Sequence, residues 1–251
     1  TLQFFMAPMV HWPEVMVEYE QTEKILFSAD GFGKFGASDV EEDWDDEARR
    51  YFINIVGKYG SQVQALLKKA ATLDIQTICP LHGPVLKENL GYYIGKYLTW
   101  SSYEPEEEGV VVAYASIHGN TGKAAARMAE ILKENGAENV KVFDLARDDM
   151  AEAISSAFRY RRLIVMGVTY DGNLFPCMED FLYHLKIKTY KKRKVGIVEN
   201  GSWAPMAGKL MKAYFEGMKD IEICEPVVTI KSVMKDADEE NMKTLAKAVL
   251  A

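Results

Sequence analysis

Three short stretches in the second half of the sequence carry residue types that can bind one ligand together. The first is Tyr114-Ala115-Ser116-Ile117-His118-Gly119-Asn120-Thr121-Gly122-Lys123. It joins a strand pattern to a helical one, so its backbone amides and the helix dipole favour an anion. Ser116, Asn120 and Thr121 add neutral donors. GxxxxGK[ST] and GxGxxG patterns are both absent, which leaves nucleoside triphosphates and dinucleotides without their usual loops. The second stretch is Gly167-Val168-Thr169-Tyr170-Asp171-Gly172-Asn173-Leu174-Phe175-Pro176. There Tyr170 could cover a planar ring, and Gly172 lets backbone approach closely. The third, Glu199-Asn200-Gly201-Ser202-Trp203-Ala204-Pro205, sets a Trp between Gly and Pro. Stacking on a flat ligand explains that placement better than core packing does. Singly, these are a capped turn, a solvated loop and a Trp folded onto a sheet edge. Jointly they suit a phosphorylated planar cofactor.

The first half offers a sparser set. His11 lies in Val10-His11-Trp12-Pro13, His82 in Pro80-Leu81-His82-Gly83-Pro84, and Asp30 ends a strand pattern before Gly31-Phe32-Gly33. His and Asp at strand ends ligate hard or borderline metals. Loop histidines and Asp-Gly turns are also common structural features, and on spacing alone that second reading is the stronger.

These residues need a scaffold, and the rest of the sequence outlines one. The chain has 251 residues, 48% hydrophobic and 27% charged, with a formal net charge of -7. The length suits one large or two ordinary domains. The acidic balance argues against nucleic acid as the main ligand, since a phosphate-tracking surface needs clustered Lys and Arg. Cys79, Cys177 and Cys224 are odd in number and form no CxxC pair, so neither a disulfide frame nor a thiolate metal site is expected. Free thiols point to a reducing, cytoplasmic setting. No stretch approaches the ~18 apolar residues of a membrane helix, and no signal peptide is visible. The sequence opens at Thr1 already in strand-like residues (Leu2, Phe4, Met6), which suggests an upstream segment.

The run Glu104-Pro105-Glu106-Glu107-Glu108-Gly109 reads as a linker. It divides the chain into residues 1–105 and 106–251. In the first block, Val15, Val17 and Tyr19 alternate with polar neighbours, and Gln21-Thr22-Glu23 turns into Ile25-Leu26-Phe27, a hairpin pattern. Helical spacing runs from Trp44 to about Leu73, with breaks expected at Gly57 and Gly60. A strand over Ile75–Cys79 and a helix over Leu90–Leu98 close the block. The second block alternates strands at Val110–Tyr114, Val140–Asp144, Leu163–Gly167, Lys194–Glu199 and Val227–Ile230 with five helices. This predicts an α/β fold with a five-stranded, doubly wound parallel sheet. In such a sheet ligands sit beyond the carboxyl ends of the strands, where the three loops fall.

The segments YASIHGNTGKAA, VTYDGNLFPCMEDFL and ENGSWAPMAGK resemble the three FMN loops of flavodoxins, and most of all the flavodoxin-like domain of flavodiiron proteins. The resemblance implies that Ser116, His118, Gly119, Asn120 and Thr121 cradle the phosphate. Thr169, Tyr170, Asp171 and Gly172 would line one side of the ring, and Asn200, Gly201, Ser202, Trp203 and Ala204 the other. Negative charge from Glu199 and Asp171 would then lower the flavin potential. VHWPEVMVEY, KILFSADGFGKFGA and ICPLHGPVL resemble the later part of the metallo-β-lactamase-like domain of the same family. There Asp30 would bridge two irons, with His11 on one and His82 on the other. The family's earlier HxExD-type motif is absent, so the domain is partial and the di-iron site incomplete in this chain.

The expectation from the resemblance is FMN-dependent electron transfer in an oxygen or nitric oxide reductase. Rubredoxin or a reductase would be the donor, O2 or NO the acceptor, and a head-to-tail homodimer the assembly. No membrane is involved, and the chain alone would not turn over. Two alternatives stay open. One is a flavodoxin-like electron carrier with a metal-free N-terminal remnant. The other is a zinc hydrolase, ranked last because the His set is small.

Overall fold

Alternating residues at the start of the chain build a mixed sheet. A computed structural model describes residues 1–37, 39–40 and 42–251, which divide into two units, Thr1–Glu104 and Pro105–Ala251. In the first unit, β1 (Leu2–Met6), β2 (Met16–Glu20) and β3 (Ile25–Phe27) pair antiparallel, and β4 (Thr77–Cys79) joins β3 in parallel. Successive side chains point to opposite faces. Val17, Tyr19, Leu26 and Ile78 are buried, while Leu2, Phe4, Met6, Met16 and Phe27 are exposed.

Among the described residues the unit also contains the α-helices α1 (Trp44–Tyr51), α2 (Gly60–Ala70) and α3 (Leu90–Ser102). Asp43 caps α1 by accepting from the Asp45 amide at 3.1 Å. Val17 and Leu26 of the sheet, Val63 and Leu67 of α2 and Tyr97 of α3 surround one small apolar cavity, so these helices cover the buried face. The expected breaks at Gly57 and Gly60 take another form. The chain passes from α1 through a π-helical turn (Phe52–Val56) and a 3-10 turn (Gly57–Tyr59) straight into α2. Tyr103 explains it: its hydroxyl donates to the Gly57 carbonyl at 2.7 Å and accepts from the Gly60 amide at 3.2 Å. A Cβ on Gly60 would lie 2.3 Å from the Ser101 carbonyl oxygen. The glycines therefore change the helix pitch and admit a close neighbour.

The second unit contains β5 (Glu107–Tyr114), α4 (Asn120–Glu134), β6 (Val140–Asp144), α5 (Met150–Arg159) and β7 (Tyr160–Tyr170). It continues with β8 (Asn173–Leu174), α6 (Pro176–Ile187), β9 (Arg193–Asn200), α7 (Ala207–Glu216), β10 (Ile221–Ile223), β11 (Val228–Ile230) and α8 (Asp236–Leu250). The parallel order is β6-β5-β7-β9-β10. β10 and β11 both pair with β9, Ile221 against Arg193 and Val228 against Val198, so they are two pieces of one fifth strand position. This is the doubly wound sheet expected from the alternation of elements. The order reverses between β5 and β7, which opens a crevice at the carboxyl ends.

Val110, Val112, Ile164, Met166 and Val198 pack on one face with Met128 and Leu132 of α4 and Met242, Leu245 and Val249 of α8. Helices α5 and α7 cover the other face. The acidic run is more than a linker. β5 begins within it, Glu107 pairs with Arg159 at 2.7 Å, and Glu108 pairs with Arg162 at 2.6 Å.

Candidate functional site

At the carboxyl ends of β5, β7 and β9 the three loops enclose a cavity of about 450 Å³. Ser116, His118, Asn120 and Thr121 line it from the first loop, and Thr169, Tyr170, Asp171 and Gly172 from the second. Asn200, Gly201, Ser202, Trp203 and Ala204 line it from the third. Gly119 stands just behind the wall. Its φ of 86° lets the chain turn into α4, and its amide donates to Ser116 Oγ at 3.0 Å.

Two helix N-termini, those of α4 and α7, meet this cavity, and their amides are used differently. Thr169 Oγ1 accepts from the amides of Met206 (2.8 Å) and Ala207 (3.1 Å), and Glu199 Oε2 accepts from Gly208 (2.7 Å). The start of α7 is thus satisfied by the protein's own side chains. The start of α4 has no side-chain cap and no acidic residue in its first turn. Its first amides have no carbonyl of their own helix to bind. With Ser116 8% and Thr121 3% exposed beside them, this end of the cavity is neutral, donor-rich and suited to a phosphate.

The other end is aromatic and open. Tyr170 is 44% exposed and packs edge-on to Phe175, while Trp203 is 91% exposed. Two large rings held near solvent at a cavity mouth are available to cover a flat ligand. Asp171 (φ 49°) and Gly172 (φ 72°) form the two-residue turn of the β7–β8 hairpin, in which Tyr170 faces Asn173. Positive φ at both positions is the signature of a type I′ turn, for which Asp-Gly is a favoured pair. The hairpin was legible in that dipeptide but is absent from the strand pattern read above.

Two residues at the end of β9 are held by hydrogen bonds of their own. Asn200 is a fastener: its amide group donates to the Ser232 carbonyl at 2.9 Å, and its Oδ1 accepts from the Ser232 amide at 3.0 Å. Glu199 is turned away from the cavity, with Oε1 accepting from Thr229 Oγ1 at 2.8 Å and Oε2 held by Gly208. Only Asp171, of the two acids assigned to the ring, lines the cavity. Ile117, Val168, Met206 and Ser232 also line it and carried no sequence signal, being apolar or distant in the chain.

In the first unit, Asp30 sits between the two histidines. His11 Nε2 is 3.1 Å from Asp30 Oδ2, and His82 Nε2 is 3.4 Å from Asp30 Oδ1. Each imidazole addresses a different carboxylate oxygen. Tyr51, 4% exposed, lies behind them with its ring 6.3 Å from that of His82. Burial, and then the charge of Asp30, push its phenol well above the usual range. Among the described residues no group of three or more His, Cys, Asp or Glu is arranged to hold a metal ion. Three donors, two of them on opposite oxygens of a third, do not fit a pair of irons, each of which takes several ligands.

No family model matches the chain. A nitric oxide reductase of Moorella thermoacetica is 28% identical over 261 residues, covering 100% of this chain and 65% of its own length. The structure of rubredoxin oxygen:oxidoreductase from Desulfovibrio gigas superposes with a TM-score of 0.92 at 25% identity, covering 99% of this chain and 64% of that one. The flavodiiron protein of Giardia intestinalis superposes at 0.89 and 22% identity over 99% of this chain and 64% of that one, which speaks for the fold. The homologues of this chain are flavodiiron proteins. The flavodiiron likeness runs through both units, so the mixed sheet of the first and the doubly wound sheet of the second share its architecture. The chain spans 65% of the length of the Moorella thermoacetica protein and 64% of the Desulfovibrio gigas one. No helix among the described residues is long and apolar enough to cross a membrane.

Proposed function

We propose that the cavity of the second unit binds FMN and that the chain carries electrons as part of a flavodiiron-type oxygen or nitric oxide reductase. The observation that carries this is the convergence of three separate loops on one cavity, with free helix amides at one end and two exposed aromatic rings at the other. Bound FMN supplies reversible one- and two-electron carriage. The residues of the chain bind and orient it: Ser116, Thr121 and the first amides of α4 take the phosphate, and Tyr170 and Trp203 flank the ring. Thr169, Asn200 and Glu199 act behind them by tying the loops and the start of α7 together. Apo-protein titrated with FMN is expected to bind one equivalent with quenching of flavin fluorescence. If an excess of FMN leaves the fluorescence unchanged, the redox reading is lost.

The remaining parts of the reading follow the relatives, whose names couple rubredoxin to oxygen and nitric oxide to reduction. Rubredoxin or a reductase is the electron donor, O2 or NO the acceptor, the cytoplasm the location and a head-to-tail homodimer the assembly. His11, Asp30 and His82 would each offer a donor to a metal, but three donors do not hold two irons unaided.

A second reading is favoured by that same shortage: the chain by itself is a flavin electron carrier. Metal analysis after anaerobic loading separates the two, since iron at about two per chain supports the reductase and none the carrier.

Asp171 is the cavity acid whose charge bears on the flavin. Asp171→Asn is nearly isosteric, and Asn also tolerates the left-handed backbone found there. Removing a charge worth about 1 kcal/mol at the ring raises the two-electron potential by roughly 20 mV. Potentiometric titration reads the shift, and an unmoved potential removes Asp171 from the account.

A further inference from the structure

Protein interiors keep few voids larger than a water molecule, because unfilled space forfeits packing contacts. The first unit keeps such a void. A cavity of about 30 Å³ lies between the sheet and α2, with Val17, Leu26, Val63 and Ala70 among its walls. It persists because its border is pinned. Phe32 has a φ of 67°, a left-handed conformation that bulky residues rarely adopt. Its amide donates to the Tyr97 hydroxyl at 2.7 Å, and its carbonyl accepts from the Trp44 indole at 3.2 Å. Its ring stands 4.4 Å from that of Tyr97. Neither ring can swing in to fill the space without breaking these bonds.

The same bonds keep the cavity unsuited to water. Ser28 Oγ donates to the Gly31 carbonyl at 2.6 Å, and the Gly31 amide donates back to the Ser28 carbonyl at 2.9 Å. The polar groups of the border bond one another and the rest of the wall is hydrocarbon. A water there lacks the partners, about two to four, that hold one in place. A dry apolar cavity takes an apolar guest of its own size. Engineered cavities of about 150 Å³ take benzene. This one offers room for about two water-sized spheres, which is the size of a diatomic molecule. Its place in the chain is also specific. Ser28, Gly31 and Phe32 bracket Asp30, and Val10, another wall residue, precedes His11. We infer that this cavity is a holding site for an apolar diatomic gas. The inference rests on the O2 or NO acceptor of the proposed function, deepens it by naming where that acceptor is held, and requires no metal.

The test is methyl relaxation in the 251-residue chain loaded with FMN, compared under O2 and N2 pressure. Dissolved O2 is paramagnetic and speeds the relaxation of the nuclei it visits. The methyls of Val17, Leu26 and Val63 are expected to relax several times faster under O2 than those of Val110 and Val112, which are at least as deeply buried but belong to the second unit. Val63→Ile places one more carbon in the cavity and should remove the excess at Val17 and Leu26, with circular dichroism and flavin content unchanged. Ala70→Val fills the space from a partly exposed position, and gives the same reading if the first variant does not fold. Equal relaxation at Val63 and Val110 overturns the inference. So does an excess that survives both substitutions, or an ordered water in the cavity in a crystal structure of the chain. Failure to bind FMN changes none of these readings and counts instead against the function proposed for the second unit.

Discussion

Replacing Ser116 with Asp lowers FMN affinity by about a thousandfold and leaves riboflavin affinity unchanged. Ser116 lines the cavity at the uncapped start of α4, is 8% exposed, and its Oγ already accepts from the Gly119 amide. A carboxylate there takes the same amides that a phosphate would use and repels the incoming dianion. Like charges brought together in a buried site cost several kcal/mol, and each 1.4 kcal/mol is a factor of ten. Ser116→Ala is milder. It removes one hydrogen bond to a charged group, worth about 1.5–3 kcal/mol, or roughly ten- to a hundredfold. Riboflavin lacks the phosphate, so its binding reports only on the ring site. Fluorescence titration of apo-protein with both ligands reads the difference. Equal losses for the two would mean that Ser116 merely shapes the loop, and the phosphate would have to lie elsewhere.

The site was legible where its chemistry is local in sequence. Ser116, Asn120 and Thr121 stand together because a helix N-terminus gathers consecutive residues. Trp203 announced itself by sitting between Gly and Pro, where no core could use it. What the sequence hid was long-range or turned the opposite way. Ser232 reaches the cavity from beyond β11, brought there by the pairing of β11 with β9 and by the paired hydrogen bonds of Asn200. Both Glu199 and Asp171 follow apolar strand residues, yet one lines the cavity and the other supports a helix. Position along the chain does not encode which way a strand-end side chain turns.

The same limit applies to the folds. Periodicity located the strands and helices, since alternation and helical spacing follow directly from burial. It missed the continuous passage from α1 to α2, because the hydroxyl that fixes Gly57 and Gly60 belongs to Tyr103, more than forty residues away. It read Glu104–Gly109 as a linker because acidic runs are usually solvated, whereas Arg159 and Arg162 hold Glu107 and Glu108 into β5. The apolar face of the first sheet was present in Leu2, Phe4 and Met6. Its exposure became evident only when register set those residues beside Met16 and Phe27.

Glu199→Ala destabilises the second unit by about 3 kcal/mol, whereas Glu199→Gln costs about 1 kcal/mol. Glu199 is 8% exposed and belongs to a central parallel strand, directly across from Thr229 of β11. Its two oxygens serve two donors, the Gly208 amide and the Thr229 hydroxyl. A Cβ on Gly208 would lie 2.9 Å from Glu199 Cδ, so the glycine is what allows the carboxylate to reach the helix. α7 carries no acidic residue in its own first turn, and Glu199 supplies the negative charge that its N-terminus favours. Alanine strands an amide and a hydroxyl in a buried site, each worth about 1–3 kcal/mol. Glutamine keeps the Gly208 bond through its carbonyl and can donate its amide to the Thr229 oxygen, losing mainly the charge–dipole part. Urea unfolding at constant m separates the cases by their midpoints. If the two variants lose stability equally, the charge at the start of α7 outweighs the hydrogen-bond count. If neither loses any, the carboxylate does not hold the start of α7 against β9 and β11. The cavity must then owe its shape to Thr169 and Asn200 alone.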